Sequence, residues 1–278
     1  MVKKIFVLLI LLLLNKMAKA DNWITSFDDA QKLALATNKL MLVDFWASWC
    51  GPCKKMDSES WNNDDVGLLM RNYIPVKINI DKNNYLASKY GVEGIPFIFI
   101  MDGNGKVLYK EMSYKSKREV ITILNKYKLD MAYLNPYLSS FYEKNSFASS
   151  YRVAMKYSEF SMYLNEDIRY DILSVSNQYF SLAKKLLKKS DLKNKKDFIQ
   201  RIKLFKIKEW LILNKDDKAI KALNKYNEVD IVKLNKSLFS VLYYIYYKKN
   251  GDIENEDIWF EKMSKIDKTK LKRYFEQS

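Results

Sequence analysis

Val43-Asp44-Phe45-Trp46-Ala47-Ser48-Trp49-Cys50-Gly51-Pro52-Cys53-Lys54 is the stretch that decides the fold of this chain. Leu40 to Trp46 is a short, bounded, mostly apolar run, which suits a strand buried on both faces. Trp49-Cys50-Gly51-Pro52-Cys53 comes next and opens a helix. The first thiol therefore meets a helix N-terminus, whose free N–H groups and partial positive charge stabilise a thiolate. The thiolate is the nucleophile of thiol–disulfide exchange, so Cys50 is the reactive sulfur. One turn on, Cys53 can reach back, attack a mixed disulfide on Cys50 and release the reduced product. Pro52 sits where its missing N–H costs nothing, and it stiffens the turn. A zinc half-site competes for this spacing, but no second ligand pair exists to complete it. Inert core cysteines fit poorly between Trp49, Gly51 and Pro52.

Composition narrows the chemistry to this pair. The 278 residues include two cysteines and no histidine. Ser-His-Asp and Cys-His catalysis, His-ligated haem, His-containing zinc sites and cysteine-ligated iron–sulfur clusters are thereby excluded. Two cysteines three apart cannot frame a disulfide-stapled fold either. A hydrophobic content of 48% with 14% aromatic residues supplies ample core, so the chain is not disordered. Six of the seven glycines fall between Gly51 and Gly105, and the last of the four prolines is Pro136. Their loss marks a change from turn-rich α/β structure to continuous helix near Leu129 to Pro136. Charge changes there too: residues 131–278 hold 29 Lys and Arg against 19 Asp and Glu, whereas residues 21–130 hold 15 against 14.

Outward from the dithiol, the pattern predicts alternating elements. Ser26 with Asp29 resembles a capping box before a helix bearing Phe27, Ala30, Leu33 and Ala34. Further helix is expected near Asp64 to Asn72, and Ile74 to Ile80 alternates as a strand. Asn84 to Tyr90 reads as a short helix ending at Gly91. Pro96 to Met101 and Lys106 to Lys110 form a hairpin about Asp102-Gly103-Asn104-Gly105. A helix over Ser116 to Leu129 closes the unit.

With these elements in place, Val43 to Lys54 is similar to the active-site segment of the thioredoxin family. Lys77 within Val76-Lys77-Ile78-Asn79-Ile80-Asp81, Tyr90-Gly91-Val92 and Gly94-Ile95-Pro96 extend the resemblance over about residues 25–129. It implies an α/β thioredoxin fold, a central mixed sheet flanked by helices, and a redox-active Cys50–Cys53 disulfide. It also implies that Asp44 is a buried carboxylate taking the Cys53 proton, Lys77 its partner and Pro96 a cis-proline facing the dithiol. Ile95 would then offer its backbone to an extended substrate, with Trp49, Gly51 and Pro52 completing the substrate-binding surface. Physics is compatible with these roles, since a buried Asp is costly unless paired and a raised pKa suits a proton acceptor at neutral pH. The exchange calls for no cofactor and no metal. One stretch departs from ordinary thioredoxin: Lys55 to Val66, with Asn62-Asn63-Asp64-Asp65, is more similar to exported reductase domains such as the terminal domain of the transmembrane thiol:disulfide interchange reductase. The Gly51-Pro52 dipeptide brings no histidine to stabilise a thiolate further. That implies a low potential, on the order of −270 mV as in the general thioredoxin case, and a reductase of protein disulfides.

The ends of the chain set its surroundings. Lys3 and Lys4, the apolar run Ile5 to Leu14 and the small-residue pattern Ala18-Lys19-Ala20 predict a signal peptide over residues 1–20, cleaved after Ala20. An uncleaved N-terminal membrane anchor is the alternative. An exported, periplasmic or secreted reductase with a part in cell redox homeostasis needs electrons from a donor in the membrane. Residues 21–130 would form the thioredoxin-like domain and residues 131–278 an all-α domain of six to eight helices. Apolar faces recur over Tyr151–Leu164, Ile168–Leu187, Phe198–Leu213, Lys218–Tyr226 and Ile231–Ile245. These helices would pair as hairpins, yet no clean period of about 34 residues survives inspection. The lysines there are scattered among acids, which argues against nucleic acid and for a solvated face, or contact with acidic partners or lipid headgroups. An alternative function is a helical partner-binding protein in which the dithiol domain is a regulatory or chaperone-like module.

Overall fold

The computed structural model describes residues 23–277. The targeting segment expected over residues 1–20 lies outside them. Among the described residues, no helix is long and apolar enough to cross a membrane. Ser26 caps α1 (Phe27–Thr37), its hydroxyl accepting from the Asp29 N–H at 3.2 Å, and Asn38 ends the helix in the left-handed region. Strand β1 (Leu40–Trp46) comes next, then α2 (Gly51–Met56), which widens into a π-helical turn over Asp57–Trp61. After the turn lie α3 (Asp64–Met70), β2 (Tyr73–Asn79) and α4 (Asn84–Lys89). The hairpin of β3 (Phe97–Met101) and β4 (Val107–Met112) leads to α5 (Lys117–Lys126). The strands lie in the order β2-β1-β3-β4, with β1 parallel to β2 and antiparallel to β3. This is the thioredoxin fold, followed by a helix-rich region.

Alternation along β1 divides the core into two layers. Met41, Val43 and Phe45 pack with Phe27 and Ala30 of α1 and with Phe99. Leu40 and Leu42 pack on the opposite side with Met56, Trp61, Val120 and Leu124. Asp44 shares that second side, so the strand delivers a carboxylate into an apolar layer.

The second layer continues beyond residue 130. Among the described residues it meets eight helices: α6 (Asn135–Glu143), α7 (Phe147–Phe160), α8 (Glu166–Lys189), α9 (Lys195–Ile212), α10 (Asp216–Leu223), α11 (Lys236–Asn250), α12 (Ile253–Glu261) and α13 (Lys265–Gln277). One cluster of buried side chains runs from Leu124 through Tyr127, Met131 and Leu134 to Tyr157 and Tyr179. Its polar centre is Asp102 in the β3–β4 turn, which is fully buried. This carboxylate accepts from Tyr157 Oη at 3.0 Å, Tyr179 Oη at 2.7 Å and the N–H groups of Asn104 and Lys106 at 2.9 and 2.8 Å. Burial pushes its pKa up while the four donors pull it down, and burial wins.

Two of the differences from the periodicity have a cause in the hydrogen bonding. The last helix of the α/β unit stops at Lys126, short of Leu129, because the linker turns back to the end of α1: the Met131 N–H donates to Asn38 O at 3.1 Å. The apolar face from Ile231 becomes a helix only at Lys236, after 3-10 turns over Glu228–Asp230 and Lys233–Asn235. The buried Asn235 amide donates to Asp197 O and Gln200 Oε1 at 3.0 and 2.9 Å, which holds the turn against α9.

Candidate active site

Cys50 is the N-cap of α2: its backbone is extended, and its Sγ accepts from the Cys53 N–H at 3.1 Å. The two sulfurs are joined as a disulfide, with Cα atoms 5.3 Å apart. The structure is therefore the oxidised form. Both cysteines are 3% exposed and pack with Ala47 against Trp46, Ile80 and Ile95. Trp49, Gly51 and Pro52 form an exposed rim about them. The Trp49 indole is held by Asp81, Nε1 donating to Oδ2 at 3.1 Å. The Ile95–Pro96 peptide bond is cis, and Ile95 brings that segment against the dithiol.

Asp44 and Lys77 are direct neighbours in the parallel β1–β2 register. Lys77 Nζ lies 3.9 Å from Asp44 Oδ2, and it forms a closer ion pair with Asp57. The ammonium also sits over the rings of Trp46 and Trp23, 5.2 and 5.4 Å from their centroids. Trp23 in turn meets Trp61 edge-on at 5.2 Å. Asp44 is thus buried near the Trp61 indole, and the Lys77 ammonium beside it is shared with a second carboxylate, Asp57.

That arrangement sets the charge balance. Burial pushes the Asp44 carboxyl up, the Lys77 ammonium lowers it, Asp57 raises it and the Trp61 indole lowers it, leaving a pKa of about 7. The indole is near enough to favour the charged form, but no well-formed hydrogen bond results. Asp44 Oδ1 and Trp61 Nε1 are both buried without a partner among the described residues. A carboxyl poised near neutrality can take a proton from a thiol and return it. In the oxidised form Cys53 carries no proton to offer.

Asp57 and Trp61 are the members of the site that sequence reasoning missed. Both lie in the stretch that stands out only as a departure from thioredoxin. A signal was present: Asp57 is four residues after Cys53, so the two project from the same side of a helix. The π-helical turn then carries Trp61 back under the sheet, an irregularity common at functional sites.

The Thioredoxin-like domain family matches residues 27–128. The thioredoxin of Rickettsia felis is 33% identical over 97 residues, which span 34% of this chain and 89% of that protein. The chain belongs to the thioredoxin family. Thioredoxin-T of Drosophila melanogaster is 38% identical over 79 residues, covering 27% of this chain and 46% of that protein. Among solved structures, the oxidised C-terminal domain of DsbD from Neisseria meningitidis is 23% identical with a TM-score of 0.32, over 36% of this chain and 89% of that one. The family model stops at residue 128, and each of these relatives matches about a third of the chain. This thioredoxin-family chain thus carries a thiol–disulfide oxidoreductase fold with a Cys-x-x-Cys pair, and a helical region that the likeness does not reach.

Proposed function

We propose that the protein is a reductase of protein disulfides in an exported compartment. The observation that carries this reading is the pairing of Cys50 at the N-terminus of α2 with a near-neutral Asp44 in the strand leading into it. In the reduced protein the Cys50 thiolate attacks one sulfur of a substrate disulfide. A mixed disulfide forms, and the other substrate sulfur leaves as a thiolate. Asp44, as carboxylate, takes the Cys53 proton, with Lys77 holding it in place. Cys53 then attacks Cys50 Sγ, closes the internal disulfide and expels the second substrate sulfur. Two electrons have passed to the substrate, and the protein is left oxidised.

The rim of Trp49, Gly51 and Pro52 and the backbone at Ile95 beside cis Pro96 are the surface an extended substrate would meet. A low potential is expected because the Gly51-Pro52 dipeptide adds no group that stabilises the reduced dithiol. Such a poise in an oxidising compartment requires a membrane donor of electrons, in keeping with the signal-like residues 1–20. Insulin reduction with dithiothreitol tests the activity, and Cys50→Ser should abolish it. Equilibration with glutathione buffers tests the direction. A potential on the order of −270 mV supports a reductase, and one near −120 mV would make the protein an oxidant.

A further inference from the structure

The helical region holds a groove that the redox chemistry does not use. A cavity of about 630 Å³ lies between α8, α9 and α10. That volume falls within the roughly 300–1,000 Å³ of ligand sites. Phe180, Ile207, Trp210 and Tyr226 supply its apolar wall, while Lys184, Lys203 and Lys225 stand exposed at its edge. A second depression of about 240 Å³ adjoins it, sharing Lys203 and Tyr226 and adding Lys196 and Ile199. No Asp or Glu lines either one. Lys206 at the same edge is neutralised by Glu209 at 2.6 Å, but Lys184, Lys196, Lys203 and Lys225 form no ion pair among the described residues.

We propose that this groove binds an extended acidic peptide segment carrying an aromatic or large aliphatic side chain. Shape favours a peptide over a compact ligand. The two depressions run along α9 from Lys196 to Trp210, which at 1.5 Å per residue is about 21 Å, the reach of about six extended residues. Charge complementarity fixes the chemistry. Four ammonium groups unpaired among the described residues flank a wall of rings, so carboxylates flanking one apolar anchor fit both features. A concave channel also suits a chain better than a flat lipid surface. The binding is independent of the dithiol, because the groove contains no sulfur nucleophile and belongs to helices beyond the thioredoxin fold.

The test uses the full chain and a fluorescein-labelled peptide of Glu and Asp with one central Phe, monitored by fluorescence anisotropy. Saturable binding is expected, weakening as the Debye length shrinks from about 10 Å at 0.1 M salt to 3 Å at 1 M. The exposed pair Lys203→Glu and Lys225→Glu should leave the far-ultraviolet circular dichroism unchanged and weaken binding roughly tenfold or more. Replacing the peptide Phe by Ala should also weaken it, whereas Cys50→Ser in the protein should not. Equal binding of a Gln/Asn peptide, or unchanged affinity in the double charge-reversal variant, overturns the proposal. So does capture by phosphatidylglycerol vesicles without affinity for the peptide.

Discussion

Asp44→Asn should stabilise the oxidised protein at alkaline pH and leave it almost unchanged at acid pH. The side chain is nearly fully buried, and its carboxyl is raised from 3.8 to about 7, chiefly by burial. The folded state thus holds the Asp44 proton more tightly than the unfolded chain does. The resulting stabilisation is complete below pH 3.8, declines as the pH rises and is lost above about 7. At about 1.4 kcal/mol for each pH unit, the decline amounts to about 4 kcal/mol. Asn is neutral throughout and close in shape to the protonated acid. The variant should therefore match the wild type near pH 4 and exceed it near pH 8 by up to about 4 kcal/mol, less whatever the amide loses in packing against Lys77. Urea denaturation of both oxidised proteins at the two pH values, monitored by tryptophan fluorescence and circular dichroism, measures the difference. A difference that does not change with pH would refute the raised pKa. A variant less stable than wild type near pH 8 would show that the Lys77–Asp44 ion pair outweighs burial.

Other consequences are equally open to measurement. Asp57→Asn removes a charge that raises the Asp44 carboxyl and frees Lys77 for it, so the Asp44 titration seen by carbon-13 NMR should move below pH 7; an unmoved midpoint would separate Asp57 from the site. Tyr179→Phe deletes a donor to the buried Asp102 and should destabilise the protein by roughly 1.5–3 kcal/mol in urea. A loss below about 0.5 kcal/mol would mean that the tyrosine hydroxyl does not help join the helical region to the sheet. Lys208 is buried in the helical region, and burial lowers its ammonium from 10.5 to about 8, so the folded state is penalised below pH 8 and relieved as the pH rises toward 10.5. Lys208→Met should therefore stabilise at pH 7 by up to about 3 kcal/mol, with the gain shrinking above pH 8; a pH-independent gain would deny the lysine its buried charge.

Legibility depended on how local each signal is. Strand β1 was readable to the residue, Leu40 to Trp46, because its apolar run and the dithiol bound it on both sides. The hairpin could be read from Asp102-Gly103-Asn104-Gly105, and Gly105 does adopt a positive φ of 75°. That the same Asp102 is a buried junction was not legible, since its tyrosine partners lie 55 and 77 residues away. Asp44 and Lys77 could be named only by resemblance, because a parallel register between distant strands leaves no local mark. Trp61 was hidden for another reason: a π-helical turn shifts the helical period, so spacing counted at 3.6 residues misplaces the side chains after the turn. The apolar pattern starts at Ile231, ahead of α11 at Lys236, because spacing at three and four residues also fits the 3-10 turns before the helix.

The central claim is that Cys50 attacks a substrate disulfide and Cys53 resolves the product. Its most direct test is to incubate reduced Cys53→Ser protein with a disulfide substrate and identify adducts by peptide mass spectrometry. A stable mixed disulfide on Cys50 is predicted, while reduced wild-type protein under the same conditions should pass through that adduct and end as the Cys50–Cys53 disulfide. No adduct on Cys50, or wild-type protein that accumulates the adduct as fully as the variant, would contradict the account.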